Sequence, residues 1–177
     1  MKAVLKHELS GYFHSLTAYV FGAFLLVFVG IGSMLYNIQQ AVANFEYVLG
    51  FISLIFVGLV PILTMRVLAE ERKQRTDQLL YSLPIATTDI ILGKYLALLT
   101  IYVIPVLIMC LYPLLLGTHG TVSYAVSYTS ILGYFLLGAA YISVGVFVSS
   151  ITESQVIAAV VGFVILFLCL SLIHISE

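Results

Sequence analysis

The chain has 177 residues, of which 62% are hydrophobic and only 8% are charged, and its formal net charge is −1. A soluble domain carries about 25% charged residues, so this composition excludes a soluble enzyme, a disordered tail and a disulfide-rich secreted module. Because a helix of about 20 apolar residues crosses a bilayer, the composition indicates an integral membrane protein with several spans.

The N-terminal segment has apolar residues at helical spacing before the first long apolar run. These residues are Val4, Leu5, Leu9, Tyr12, Phe13 and Leu16. One interpretation is a short helix in the cytoplasmic interface, with Lys2 and Lys6 among anionic headgroups. The other is a simple extension of the first span by two turns, and the sequence leaves both open.

Charge-free windows predict five membrane spans, at about 16–36, 47–65, 95–116, 128–149 and 155–169 or slightly beyond. The polar, turn-prone stretch 117–123 separates the third span from the fourth. Only helices and closed barrels satisfy the backbone within a bilayer, and the windows lack the alternation of barrel strands. We therefore expect an all-α polytopic bundle of five transmembrane helices.

The basic residues predict the orientation of these spans. All seven Lys and Arg residues lie either before the first span or between the second and third. The positive-inside rule places such segments in the cytoplasm. The N-terminus and loop 66–94 are accordingly expected to be cytoplasmic, with the fifth span ending outside a multi-pass cell-membrane protein.

Loop 66–94 holds nine of the fifteen charged residues. Arg66 and Lys94 flank the spans and are expected to extend their charged ends to the headgroups. Between them, 68–80 is rich in helix-forming residues, Pro84 breaks the helix, and Thr87 or Thr88 can cap the next one. Mixed charge beside the apolar residues 79–81 favours a docking surface over an ordinary solvated connector.

The motifs of common catalytic and metal sites are missing from the sequence. Gly93-Lys94 lacks the upstream glycine and the following Ser or Thr of a phosphate-binding loop. The four histidines have no metal-ligand spacing, and Cys110 and Cys169 lie in apolar runs. There is no basic stripe for nucleic acid, and the predicted span cores carry no charge of the kind that marks an ion pathway. If the protein moves a substrate, the energy is expected to come from outside this chain.

The sequence resembles the permease subunit of an ABC-2-type transporter, close to the gliding-motility and related bacterial branch. The first resembling stretch comprises 61–66 (PILTMR), Glu70-Glu71-Arg72, Thr76, Leu79-Leu80, Leu83-Pro84 and 92–95 (LGKY). The second comprises 138–145 (GAAYISVG) and 149–155 (SSITESQ). One departure is Arg75, where such permeases often place a glycine.

The resemblance implies a transmembrane subunit of an exporter that is not itself an enzyme. ATP and magnesium would be bound by a separate ATP-binding-cassette subunit, and two permease subunits would pair as a homodimer or heterodimer. The coupling loop would contact the ATP-binding subunit through Glu70, Glu71, Arg72, Thr76, Leu79, Leu80 and Pro84. An alternative is a non-transporting membrane anchor that recruits a cytoplasmic partner through loop 66–94.

The resemblance also implies six spans, one more than this sequence contains. Residues 170–177 (LSLIHISE) look like the translated end of a sequencing adapter. The expected organisation is therefore a transmembrane domain at 1–169, truncated at its C-terminus, followed by a non-native tail at 170–177.

Overall fold

The protein forms a bundle of long helices in the computed structural model, which describes residues 2–39, 44–69, 87–118 and 122–175. The helices are α1 (Lys2–His14), α2 (Leu16–Ser33) with a π-helical turn (Met34–Ile38), α3 (Glu46–Thr64), α4 (Thr87–Met109), α5 (Tyr112–Gly117), α6 (Tyr124–Ile151) and α7 (Gln155–Ile175). Five segments are long and apolar enough to cross a membrane: Leu16–Ile38, Glu46–Thr64, Thr88–Gly117, Tyr124–Ile151 and Gln155–Leu172. Within the described residues there is no strand, and the predicted all-α bundle of five membrane helices is confirmed.

The N-terminal segment is a helix of its own. Ser15 has extended backbone angles, with φ −93° and ψ 150°, between the end of α1 and the start of α2. Its hydroxyl donates to the carbonyl oxygen of Tyr12 at 3.0 Å, a local bond that competes with continuation of the helix. The interpretation of this segment as an extension of the first span is therefore wrong. α1 packs instead against α4 and, less extensively, against α2.

The third span begins earlier than the charge pattern predicts. α4 starts at Thr87, with Asp89 in its first turn, whereas the expected span starts at residue 95. The added residues form about two turns of helix, and they include Lys94. A prediction based on charge-free windows ends a span at the first charged residue and so leaves these two turns out. In the structure the turns contact α1, and Glu8 of α1 pairs with Lys94, so a charged residue can be part of the same helix.

α3 lies at the centre of the bundle, where it packs against α2, α6 and α7. Its buried side chains recur at helical spacing and include Val48, Ile52, Phe56, Val60 and Leu63. Half of α3 is buried, compared with 17% of the most apolar part of α7. The second span is thus the core helix, and α7 leaves most of its surface open.

Two glycines on α6 allow the neighbouring helices to approach closely. A Cβ at Gly138 would overlap the ring of Tyr102 on α4, and one at Gly145 would overlap Thr64 on α3. Close approach through small residues is a common way for membrane helices to pack. The spacing of seven residues places both glycines on one side of α6.

An aromatic cluster fills the centre between α3, α4 and α6. It comprises Phe56, Tyr102, Tyr134 and Tyr141, all of them buried. The ring centroid of Phe56 lies 5.2 Å from those of both Tyr102 and Tyr134. Tyr102 donates its hydroxyl to the carbonyl oxygen of Tyr134 at 2.8 Å, which joins α4 to α6 inside the apolar core.

Candidate functional site at the charged loop

The candidate site consists of the two points where the charged loop joins the helical bundle. The residues predicted to contact a partner subunit lie outside the described residues: Glu70, Glu71, Arg72, Thr76, Leu79, Leu80 and Pro84. Their assignment therefore stays a prediction. The structure describes the chain up to residue 69 and again from residue 87, and we call these ends the first base (65–69) and the second base (87–95).

Ser149 holds the first base. Its Oγ accepts hydrogen bonds from the backbone N–H groups of Leu68 and Ala69, at 3.1 and 3.2 Å. The same hydroxyl donates to the carbonyl oxygen of Met65 at 3.4 Å. Ser149 and Ala69 are fully buried, so water cannot replace these bonds. A residue near the end of α6 thus fixes the chain as it leaves α3.

An ion pair holds the second base. Lys94 Nζ lies 2.7 Å from Glu8 Oε1, and the side chains are 2% and 17% exposed. A buried ammonium group is costly unless a partner compensates its charge, and Glu8 on α1 supplies that partner. The extension of Lys94 to the headgroups that the sequence predicts is therefore wrong. Arg66, in the first base, is exposed, and its role as a span-flanking residue stays a prediction.

Gly93 lets α1 reach the second base. A Cβ at this position would lie 3.0 Å from Val4 Cγ1 and 3.5 Å from the backbone nitrogen of Leu5. The first of these distances is too short for an ordinary contact, so the glycine sets how closely the two helices approach. Gly93 and Lys94, which do not form a phosphate-binding loop, instead form the contact surface for α1.

The two bases lie at the same end of the bundle, which we call the basic end because Lys94 and Arg66 are there. A groove of about 500 Å³ separates them. Leu68 of the first base, Ile91 and Leu92 of the second, and Val146 of α6 all contribute to its lining. Both bases therefore border one groove, while the first is attached to α6 and the second to α1.

The side chains of the site attach the charged loop to the helical bundle. Within the described ranges, no group of three His, Cys, Asp or Glu side chains is placed to hold a metal ion. What the bases share is attachment: the first to α6 through Ser149, the second to α1 through Glu8. Force applied to the loop would reach four helices: α3 and α4 directly, α6 through Ser149 and α1 through Glu8.

Ser149 and Glu8 are the residues of this site that the sequence patterns did not single out. Ser149 stands in one of the resembling stretches, but nothing local indicates its bonds to residues 81 and 80 positions away. Glu8 is the sole acidic residue before Glu46. A lone acid in an otherwise basic segment is the signal that could have suggested a partner for Lys94.

A family model described as "ABC-2 family transporter protein" matches residues 8–176. The matched range includes all five membrane helices, both bases of the loop, Glu8 and Ser149. Neither a curated protein nor a solved structure matched the chain.

Proposed function

Because this chain belongs to the ABC-2 family of transporters, as a multi-pass permease subunit, we propose that it serves an ATP-driven exporter in the cytoplasmic membrane. Two permease subunits pair, and each docks a separate subunit that binds ATP and magnesium and hydrolyses ATP. The resemblance to the gliding-motility branch supports a bacterial exporter of this kind. The apolar surfaces of the spans do not select one substrate class, since one fold serves many substrates.

The observation that carries the proposal is the separate attachment of the two bases of the loop. A partner bound to loop 66–94 would pull on the end of α3 and the start of α4 together. Ser149 joins the first of these to α6, and Glu8 joins the second to α1. A solvated connector would need neither buried attachment.

The aromatic cluster supports motion of the spans as a body. α3, α4 and α6 meet at Phe56, Tyr102 and Tyr134 with ring centroids 5.2 to 6.3 Å apart. Packed interiors resist continuous deformation, so force entering at the bases would rotate or shift these helices together. Rigid-body rearrangement of this kind is a common mechanism of coupling.

The proposed docking surface combines apolar anchors with charges that orient the partner. Leu79 and Leu80 would insert into the ATP-binding subunit, where burial of their apolar side chains would contribute to the affinity. Glu70, Glu71 and Arg72 would select the orientation of the partner and its rate of association.

The test is co-purification with an ATP-binding-cassette subunit encoded beside this chain and co-expressed with it. We expect the double substitution Leu79→Asp and Leu80→Asp to lower recovery of that subunit at least about tenfold. Each leucine loses roughly 1.5–3 kcal/mol of apolar burial, and an acid in its place adds a desolvation cost.

The matched control is Ile151→Asp, which adds an acid outside the loop. Ile151 ends α6 at the basic end and is 62% exposed. Recovery of the ATP-binding subunit should be unchanged by this substitution. If the double variant recovers as much of the ATP-binding subunit as the native chain does, the coupling role of the loop is contradicted.

A further inference from the structure

A second groove lies between α2 and α3 at the basic end of the bundle. It has a volume of about 370 Å³, and its lining includes Thr17, Val20 and Phe24 on α2 with Leu59, Ile62 and Arg66 at or after α3. Val20, Phe24 and Ile62 are each about half exposed. These side chains therefore form an apolar trough open to the surroundings of the bundle.

The dimensions of the trough suit part of one acyl chain. Leu59 and Arg66 are seven residues apart, which corresponds to roughly 10 Å along a helix axis. The trough thus reaches from the basic end about a third of the way through a hydrocarbon core of ~30 Å. An occupant that enters from the basic end meets the guanidinium group first and apolar side chains beyond it.

The charge of the lining indicates an anionic headgroup. Arg66 is the one charged residue among the described residues that line the groove. A guanidinium group has five N–H donors in a planar arrangement that fits phosphate, so it can bind a phosphate while keeping another partner. Thr17, on the facing helix, adds a hydroxyl to the lining.

We propose that this groove binds one anionic phospholipid, with its phosphate on Arg66 and one acyl chain between α2 and α3. The groove has a cationic side chain at the basic end and apolar side chains beyond it. An anionic phospholipid has the matching arrangement, with a charged headgroup followed by hydrocarbon. Anionic lipids concentrate near basic segments at the membrane surface. Because Arg66 belongs to the first base of the charged loop, the phosphate of the bound lipid lies at that base.

The test is native mass spectrometry of the full chain released from nanodiscs of mixed phosphatidylglycerol and phosphatidylcholine. The native chain should retain one phosphatidylglycerol in preference to phosphatidylcholine. Arg66→Gln should lower that retention about fivefold or more, the effect of removing one basic contact at a membrane surface. Lys6→Gln is the matched control, because Lys6 is an exposed cation on α1 that does not line the groove.

A second variant tests the trough without changing any charge. Ile62→Trp should fill the groove and lower the retention of phosphatidylglycerol as Arg66→Gln does, while the helical circular dichroism of both variants stays native.

Three results would overturn the proposal. The first is undiminished retention of phosphatidylglycerol in Arg66→Gln or Ile62→Trp. The second is a loss of phosphatidylglycerol in Lys6→Gln as large as that in Arg66→Gln, which would mean that the lipid is attracted to basic surface residues in general. The third is a cross-link between Val20→Cys and a second copy of the chain, which would mean that the groove is a contact between two copies and not a lipid site. The assay uses the chain without an ATP-binding subunit, so its result is independent of the proposed exporter function.

Discussion

Single polar side chains satisfy groups that this apolar bundle would otherwise leave without partners. The Ser149 hydroxyl contacts three backbone groups where the chain leaves α3. Its two N–H donors, Leu68 and Ala69, follow the last turn of α3, where the regular hydrogen-bond pattern of the helix ends. A buried donor left without an acceptor costs about 1–3 kcal/mol. Ser149 therefore contributes to stability and holds the first base of the loop in place.

Ser149→Ala should lower the free energy of unfolding in detergent by about 1–3 kcal/mol, because both N–H groups lose their acceptor. Amide hydrogen exchange at Leu68 and Ala69 should accelerate in parallel. Denaturant titration followed by circular dichroism measures the first effect, and exchange mass spectrometry measures the second.

The control for this prediction is Ser150→Ala on the same turn. The Ser150 hydroxyl donates to the carbonyl oxygen of Phe147 at 2.6 Å, within its own helix, so its loss should change stability by less than about 0.5 kcal/mol. Equal effects of the two substitutions would mean that Ser149 has no special part in holding the first base.

Among the elements, α1 is the helix whose position depends on a few specific contacts. It packs on the start of α4 at Gly93, where Val4 and Leu5 come closest, and through the ion pair of Glu8 with Lys94. Lys94 is almost completely buried. A buried ion pair adds little net stability, but removing one of its charges is costly because the other charge is left buried without a partner. α1 is therefore expected to dock in one defined position on α4.

Gly93→Leu should displace α1, because a Cβ at this position would already lie only 3.0 Å from Val4 Cγ1 and the rest of the leucine side chain needs further room. Overpacking of this kind costs about 1–3 kcal/mol, so amide exchange across 2–14 should become about tenfold faster, which corresponds to ~1.4 kcal/mol. Exchange mass spectrometry of the chain in nanodiscs provides the measurement.

Gly11→Leu is the matched substitution on α1 itself. No atom lies within 4 Å of a Cβ at Gly11, and leucine is the better helix former, so exchange in α1 should stay the same or slow down. Unaltered exchange in Gly93→Leu would show that α1 does not need close approach at this glycine.

The whole molecule has two chemically different ends. Lys94, Arg66, α1 and the turn after α6 lie together at the basic end, whereas Ser123 precedes α6 at the other. The positive-inside rule predicts that the basic end faces the cytoplasm. This orientation is also the one in which the charged loop can meet a cytoplasmic ATP-binding subunit.

Cysteine labelling in intact cells tests the orientation. In a background with Cys110→Ala and Cys169→Ala, Ser123→Cys should react with a membrane-impermeant maleimide. Glu153→Cys, in the turn between α6 and α7, should react only after the membrane is permeabilised. The reverse pattern would place the basic end outside and would contradict the proposed site of docking.

Local sequence properties determined the helices of this protein. A backbone in a bilayer must satisfy its own hydrogen bonds, so each long apolar run has to be a helix whatever its neighbours are. The five spans and the separation of the third from the fourth could be predicted for this reason. The helix-start signal at Thr87 or Thr88 also coincides with the start of α4, which has Asp89 in its first turn, although the charge pattern alone placed the start of the span at residue 95. The coupling residues from Glu70 to Pro84 stay a prediction.

Only the tertiary structure decided how the two bases of the loop are held. Glu8 and Lys94 are 86 positions apart, and Ser149 lies 80 or more positions from its partners. Contacts over such distances leave no periodic pattern in the sequence. Lys94 therefore looks like an ordinary flanking cation until α1 is seen beside it. The low charge content predicted a membrane protein, but the packing of the helices determined which of its few charges would be buried.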